Sequence, residues 1–159
     1  MAQTKAAIVG LGSPIRSDDA VGLIVAGRVH ECLGKDACVD LIEASVGGFE
    51  LVELLEGYDR AVIVDAIQTD GGRPGDWHPI DPAQLEPGAV PSLSHQVGLL
   101  EGLELSRRLG MKMPGYVRIY AIEVADISTV GTELTAPVKA AVPRIVSDVA
   151  AREFGVAPP

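Results

Sequence analysis

Gly10-Leu11-Gly12-Ser13-Pro14-Ile15-Arg16-Ser17-Asp18-Asp19-Ala20-Val21-Gly22 joins an aliphatic run, Ala6–Val9, to an amphipathic run that begins near Val21. A continuous apolar run closed by glycine fits a central strand covered on both faces. The glycines suit a tight turn after that strand, and the two aspartates fall where a helix should begin. The unpaired N–H groups of a first helical turn favour carboxylates there. Asp18 alone serves as an N-cap, which costs about 1 kcal/mol when truncated to alanine. The second acid has either function or simple solvation to account for it.

Outward from this stretch the pattern keeps alternating. Asp19 to Leu33 is helical, with Val21, Ile24, Val25 and Cys32 on one face and Gly34 as a stop. Ala37–Glu43 reads as a second strand, and Phe49–Glu56 as a short helix ended by Gly57. Arg60–Ala66 holds Ala-Val-Ile-Val-Asp-Ala, the clearest buried strand, with Asp65 at its end. Residues 68–93 are rich in glycine and proline. One strand-like piece in that region, Asp76–Ile80, is flanked by prolines and belongs at a sheet edge. Ser94-His95-Gln96 opens a helix carrying Leu99, Leu100 and Leu103, stopped by Gly110. Tyr116–Val124 is a fifth strand, residues 125–134 form a polar loop, and Thr135-Ala136-Pro137 starts a last helix reaching Phe154. The internal Pro143 should kink or split that helix. The alternation predicts one domain over residues 1–159, a three-layer α/β/α sandwich around a mostly parallel sheet.

Composition narrows the function. The chain has 159 residues, enough for a sizeable core, and its 47% hydrophobic and 22% charged content is that of a globular protein. The core must be mostly aliphatic, because only 4% of residues are aromatic. A net charge of −9 argues against nucleic-acid and anionic-membrane partners, which need a basic footprint. No apolar run approaches bilayer-spanning length, and the N-terminus lacks a signal-peptide pattern, so the cytoplasm is the expected compartment. Cys32 and Cys38 are too few and wrongly spaced for a disulfide framework or zinc site and read as small buried hydrophobes.

Three groups fall at equivalent places in this architecture. Asp18 and Asp19 follow the first strand, Asp65 ends the third, and His95 starts the helix before the fifth. Open α/β sheets bind ligands at the carboxyl ends of their strands, so all can gather at one edge. Two carboxylates and an imidazole form a divalent-metal set with room for water or substrate, able to polarise a carbonyl or acidify a bound water. Each also has a plainer reading: a cap with a solvated neighbour, a turn cap after the third strand, and an exposed imidazole beside a Ser94 cap. His30, late in the first helix, and His78, on the edge strand, are weaker candidates.

Sharper motifs are absent. Ile15 occupies the place of the third glycine in a dinucleotide fingerprint, and there is no phosphate-binding loop. Gly-x-Ser-x-Gly is missing, and no cysteine neighbours a histidine, so no standard nucleophile is identified.

Four segments nevertheless resemble one known family. Gly10–Gly22 is similar to the opening signature of the hydrogenase maturation endopeptidases. Val62-Ile63-Val64-Asp65-Ala66 and Ser94-His95-Gln96-Val97-Gly98-Leu99 are similar to its second and third signatures, and Ser45-Val46-Gly47-Gly48-Phe49-Glu50-Leu51 to the segment between the first two. The likeness spans nearly the whole chain, and four segments in register are specific where any one is weak.

The resemblance implies a phosphorylase/hydrolase-like α/β/α sandwich with a five-stranded, mostly parallel sheet. It implies an endopeptidase that removes the C-terminal extension of a nickel-containing hydrogenase large-subunit precursor after nickel insertion. By position, Asp19, Asp65 and His95 are its catalytic and metal-contacting residues, recognising nickel supplied by the substrate. No tightly bound cofactor of the protein's own is expected. The implied partner is the large-subunit precursor, with neither nucleic acid nor membrane, and the loops at 46–48 and 125–134 are candidate walls for its peptide. Two positions depart from the pattern: Ser13 stands where the family usually has asparagine, and Asp19 where some relatives have glutamate. Two alternatives stay open: a non-catalytic checkpoint that binds metal-loaded precursor, and a hydrolase of the same fold carrying its own divalent metal.

Overall fold

Strand β1, Ala6–Leu11, is buried at every residue and lies inside a five-stranded sheet. The computed structural model describes residues 3–35, 37–85 and 98–157. Along these the strands are β1, β2 (Val39–Ala44), β3 (Arg60–Ile67), β4 (Trp77–Ile80) and β5 (Tyr116–Glu123), in the spatial order β2-β1-β3-β5-β4. The first four positions in that order pair in parallel, and β4 closes the β5 edge antiparallel. The proline-flanked piece is thus an edge strand, as its sequence predicts.

Helices α1 (Val21–Leu33), α2 (Gly48–Leu54), α3 (Leu99–Arg108) and α4 (Ala136–Phe154) cover both faces. Successive strand residues point to opposite faces, so one layer takes Ile8, Val62, Val64, Tyr120 and Ile122 against α1 and α4. The other takes Ala7, Val9, Leu11, Ile63 and Ile119 against α2 and α3. This is the three-layer α/β/α sandwich that the alternation predicts.

At the amino end of the sheet one buried polar group is fully engaged. Glu153, on the last turn of α4, accepts from Arg60 Nη2 (3.1 Å), Tyr116 Oη (2.9 Å) and Tyr120 Oη (2.6 Å). Burial and the Glu153 carboxylate hold the Tyr120 phenol well above its ordinary pKa. Arg60 also lies over the Tyr116 ring, so this cluster is a closed structural anchor for α4.

Several expectations are corrected. Cys32 and Cys38 are exposed, because burial along α1 ends at Val29 and Cys38 precedes an edge strand with no fully buried residue. Pro143 does not split α4, which runs on for 19 residues; the proline lies on the exposed face, where water can reach the carbonyl it leaves without a partner. The expected helix start at Ser94-His95-Gln96 lies outside the described residues. The described α3 begins at Leu99, directly after Gly98 in a left-handed conformation (φ 83°) that an α-helix does not tolerate.

The first glycine of the quoted stretch and the last one press β1 and α1 together. A Cβ on Gly22 would lie 2.4 Å from the Leu11 carbonyl oxygen and 2.5 Å from that of Val64. One on Gly10 would lie 2.8 Å from the Gly22 oxygen. Both obstacles are backbone, so neither position relaxes cheaply. Gly22→Ala is expected to lower stability by about 3 kcal/mol through overpacking, measured as a shift of the urea midpoint without a change in slope.

Candidate functional site

β1 sends its chain toward α1 and β2 on one side, whereas its other neighbour is β3, so strand order reverses between β1 and β3. Ligand crevices in open α/β sheets form at such switch points, outside the carboxyl ends of the strands. The β1–β3 ladder stops at Gly10 opposite Val64. Asp65 is therefore the first β3 residue past that pairing, although β3 itself continues beside β5 to Ile67. Its side chain is wholly buried, and its Oδ1 accepts the Ala66 N–H at 2.9 Å. It shares a face with Ile63, the face covered by α2 and α3.

Asp19 stands in the turn after β1, the strand beside β3. It is 9% exposed and its Oδ2 accepts the Ser13 N–H at 2.9 Å. The turn is compact because Gly12 is glycine: at φ 140°, a Cβ there would lie 1.8 Å from the Asp19 carbonyl oxygen. Ser45 Oγ donates to the Gly12 carbonyl at 2.7 Å, and the Gly12 N–H to Ala44, which tie the turn to the end of β2. Ser13, where the resemblance leads one to expect asparagine, engages Asp19 through its backbone, so this contact does not depend on the side chain at 13.

Asp18 is not the cap that its sequence context predicts. The residues before α1 form a 3-10 turn, Ser17–Ala20, with no side-chain cap. Asp18 is fully buried and points away from its own helix start. Its Oδ1 accepts the Thr135 N–H (2.7 Å); its Oδ2 accepts the Thr135 hydroxyl (2.7 Å) and the N–H groups of Ala125 (3.0 Å) and Asp126 (3.1 Å). The loop after β5 is thereby fastened to the turn after β1. A parallel bridge between Arg16 and Gly131 runs alongside.

His95 lies outside the described residues. The next described helix, α3, covers the Asp65 face. Among the described residues no three His, Cys, Asp or Glu side chains gather as a metal site. His30 is far from this edge, with Nε2 3.0 Å from the Val39 carbonyl oxygen at the start of β2. His78 lies 3.9 Å from Glu123. Glu123 is a buried acid that the sequence reading missed. It shares the Asp65 face two residues beyond Ala121, accepts from the Thr69 hydroxyl and N–H, and occupies space left by Gly72. Its signal is an acid at the close of the apolar run Ile119–Val124, the same signal that marked Asp65.

The fold is that of an open α/β/α protein, with two buried aspartates after the strands that flank its topological switch point. A family model described as hydrogenase maturation protease matches residues 24–152, a range that includes Asp65 and position 95 and begins after Asp19. The hydrogenase expression/formation protein HupD of Rhizobium leguminosarum bv. viciae is 25% identical over 154 residues, 94% of this chain and 75% of that protein. The structure of the hydrogenase maturating endopeptidase HybD from E. coli is similar with a TM-score of 0.73 over 97% of this chain and 96% of that one, at 23% identity. For the [NiFe] hydrogenase maturation protease HybD from Thermococcus kodakarensis the TM-score is 0.67 over 92% and 97%, at 27% identity. The chain belongs to the hydrogenase maturation protease family and is a peptidase.

Two measurements follow from this geometry. Asp18→Ala takes the shared acceptor from three N–H donors and a hydroxyl, and is expected to cost about 3 kcal/mol, against about 1 for a lost cap, by urea unfolding. Asp126 caps its own loop: the Thr129 hydroxyl, then the N–H groups of Thr129 and Ser128, lower its pKa from 3.8 to about 2. A folded pKa below the unfolded one means that the stabilisation is complete above about pH 4 and fades as pH falls toward 2. An NMR titration of the Asp126 carboxyl should give a midpoint near 2; a midpoint at 3.8 would mean that the loop cap does not form.

Proposed function

We propose that this peptidase removes the C-terminal extension of a nickel-containing hydrogenase large-subunit precursor, and that it recognises nickel already bound to that precursor. The observation that carries the reading is the pair Asp19 and Asp65, two buried carboxylates from adjacent strand ends at the switch point. The substrate brings nickel on its own thiolates. Asp19, Asp65 and His95 add oxygen and imidazole nitrogen donors to it, a set without cysteine that suits completing a coordination sphere rather than building one alone. A backbone N–H on each carboxylate, from Ser13 for Asp19 and from Ala66 for Asp65, helps to orient it before substrate arrives. Cleavage is then conditional on metal loading, because an unloaded precursor offers the three residues nothing to hold.

Peptide docking uses the loops around the pair. Ile15 (57% exposed) and Val130 (79%) stand on the two loops joined by the Arg16–Gly131 bridge, and Phe49 (58%) opens α2 after β2. All three follow parallel strands and so lie at the carboxyl edge. Exposed apolar side chains beside a crevice suit an extended polypeptide partner.

Asp19→Asn, Asp65→Asn and His95→Ala should each lower processing of nickel-loaded precursor by at least a hundredfold while the far-ultraviolet circular dichroism stays unchanged. Mass spectrometry of the precursor after incubation reads this directly. An intact precursor with the wild-type chain, under conditions where binding is demonstrated, would replace the peptidase step by a metal-loading checkpoint. Stoichiometric zinc in the purified protein would instead favour a hydrolase with its own metal.

A further inference from the structure

We propose that Asp18 is a positioning residue for the proposed peptidase site: by holding residues 125–135 against the turn after β1, it keeps the neighbouring Asp19 carboxylate in the crevice. This rests on the function proposed above and extends it to a side chain that does not touch substrate.

The turn that presents Asp19 does not hold its own shape. Ser17 has φ 44°, the single non-glycine residue with positive φ among the described residues. L side chains avoid that region unless surrounding contacts impose it. The imposing contacts come from the loop after β5: the Ser17 N–H donates to Gly131 (3.0 Å), its hydroxyl to the Glu133 carbonyl (3.0 Å), and the Gly131 N–H back to Ile15 (2.9 Å). Asp18 closes this clamp at both ends. Its carboxylate takes the four donors of Ala125, Asp126 and Thr135, and its own N–H donates to the Asp126 carbonyl at 3.0 Å.

A change at Asp18 must reach Asp19 because the two are adjacent in a turn without slack. The Asp19 N–H donates to Arg16, its carboxylate accepts from Ser13, and its carbonyl oxygen fills the place of a Gly12 side chain. If Ser17 relaxes toward negative φ, this backbone rotates and the Ser13 N–H loses its acceptor. The Ser13 amide is thus a reporter of where Asp19 points, readable with no substrate present.

The test is D18N in the full-length protein. Asparagine keeps the shape, but in either orientation at least one backbone N–H that now meets an oxygen meets an amide donor instead. Hydrogen exchange by NMR should show the Ser13 amide exchanging at least tenfold faster than in wild type, with Ile63 and Ile119 in the sheet within twofold. In parallel, kcat/KM on nickel-loaded precursor should fall at least tenfold, with affinity for nickel-free precursor within twofold. General unfolding would lose both affinity and sheet protection. A Ser13 rate like that of wild type overturns the proposal, and so does accelerated exchange with undiminished cleavage. Should D18N fail to fold, Thr135→Val removes one hydroxyl donor and keeps the shape. It must then show the same split, threefold or more at Ser13, or the proposal fails. Absence of cleavage by wild type would overturn the peptidase reading alone, because Ser13 exchange on the isolated protein still decides the role of Asp18.

Discussion

A carboxylate removed from water is tolerated when donors replace its hydration, and the Asp18 carboxylate receives four of them over 2.7–3.1 Å. These donors come from Ala125 and Asp126 in the loop after β5 and from Thr135 just before α4, while Asp18 itself stands just before α1. The two helices that cover one face of the sheet therefore start from a single polar knot. Negative charge there is also favoured by both helix N-termini. With both helix starts tied together, the carboxyl edge of the sheet gains a fixed frame, and the turn bearing Asp19 inherits its geometry from it.

The knot explains why local rules mislead at two places at once. Thr135 and Asp18 are both good N-cap residues by type and position. Neither caps its helix: the Thr135 hydroxyl goes to Asp18, and the Asp18 oxygens go to Thr135 and the loop after β5. Each cap-forming side chain is engaged by a partner 117 residues away, a pairing that no window of local sequence contains. A bond to a buried, charged acceptor outweighs an exposed cap, so the tertiary contact wins.

The layers were readable because hydrophobic period follows backbone geometry. Val62, Ile63 and Val64 supply both faces of β3, and Val21, Val25 and Val29 draw one stripe on α1. Asp65 was readable for the same reason, since an acid inside such a run is a local anomaly. What a stripe does not reveal is where its cover ends, so Cys32, one turn beyond Val29, emerges exposed. Pro143 lies off the stripe that Val138, Val142, Ile145 and Val149 draw on α4, on the side that faces water, and so passes within the helix. Glu123 carries the Asp65 signal at the end of β5, yet its role emerges only once the chain brings Thr69 and His78 beside it.

The buried acids divide by what answers them. Glu153 has a guanidinium and two phenols, Glu123 has Thr69 with His78 at the margin, and Asp18 has backbone N–H groups and a hydroxyl. In each case the donors come from segments that the acid fastens, so these carboxylates hold structure. Asp19 accepts from the Ser13 N–H within its own turn, and Asp65 from the N–H of its chain neighbour Ala66. A contact of that sort orients a carboxylate. Such an orientation suits a carboxylate that meets a cationic substrate. On the proposed function, the nickel of a loaded precursor is that cation, and the strongly acidic chain adds attraction without specificity. Selectivity then falls to the placement of two carboxylates. That placement is why the neighbouring acid, Asp18, is buried in a knot rather than left to cap a helix.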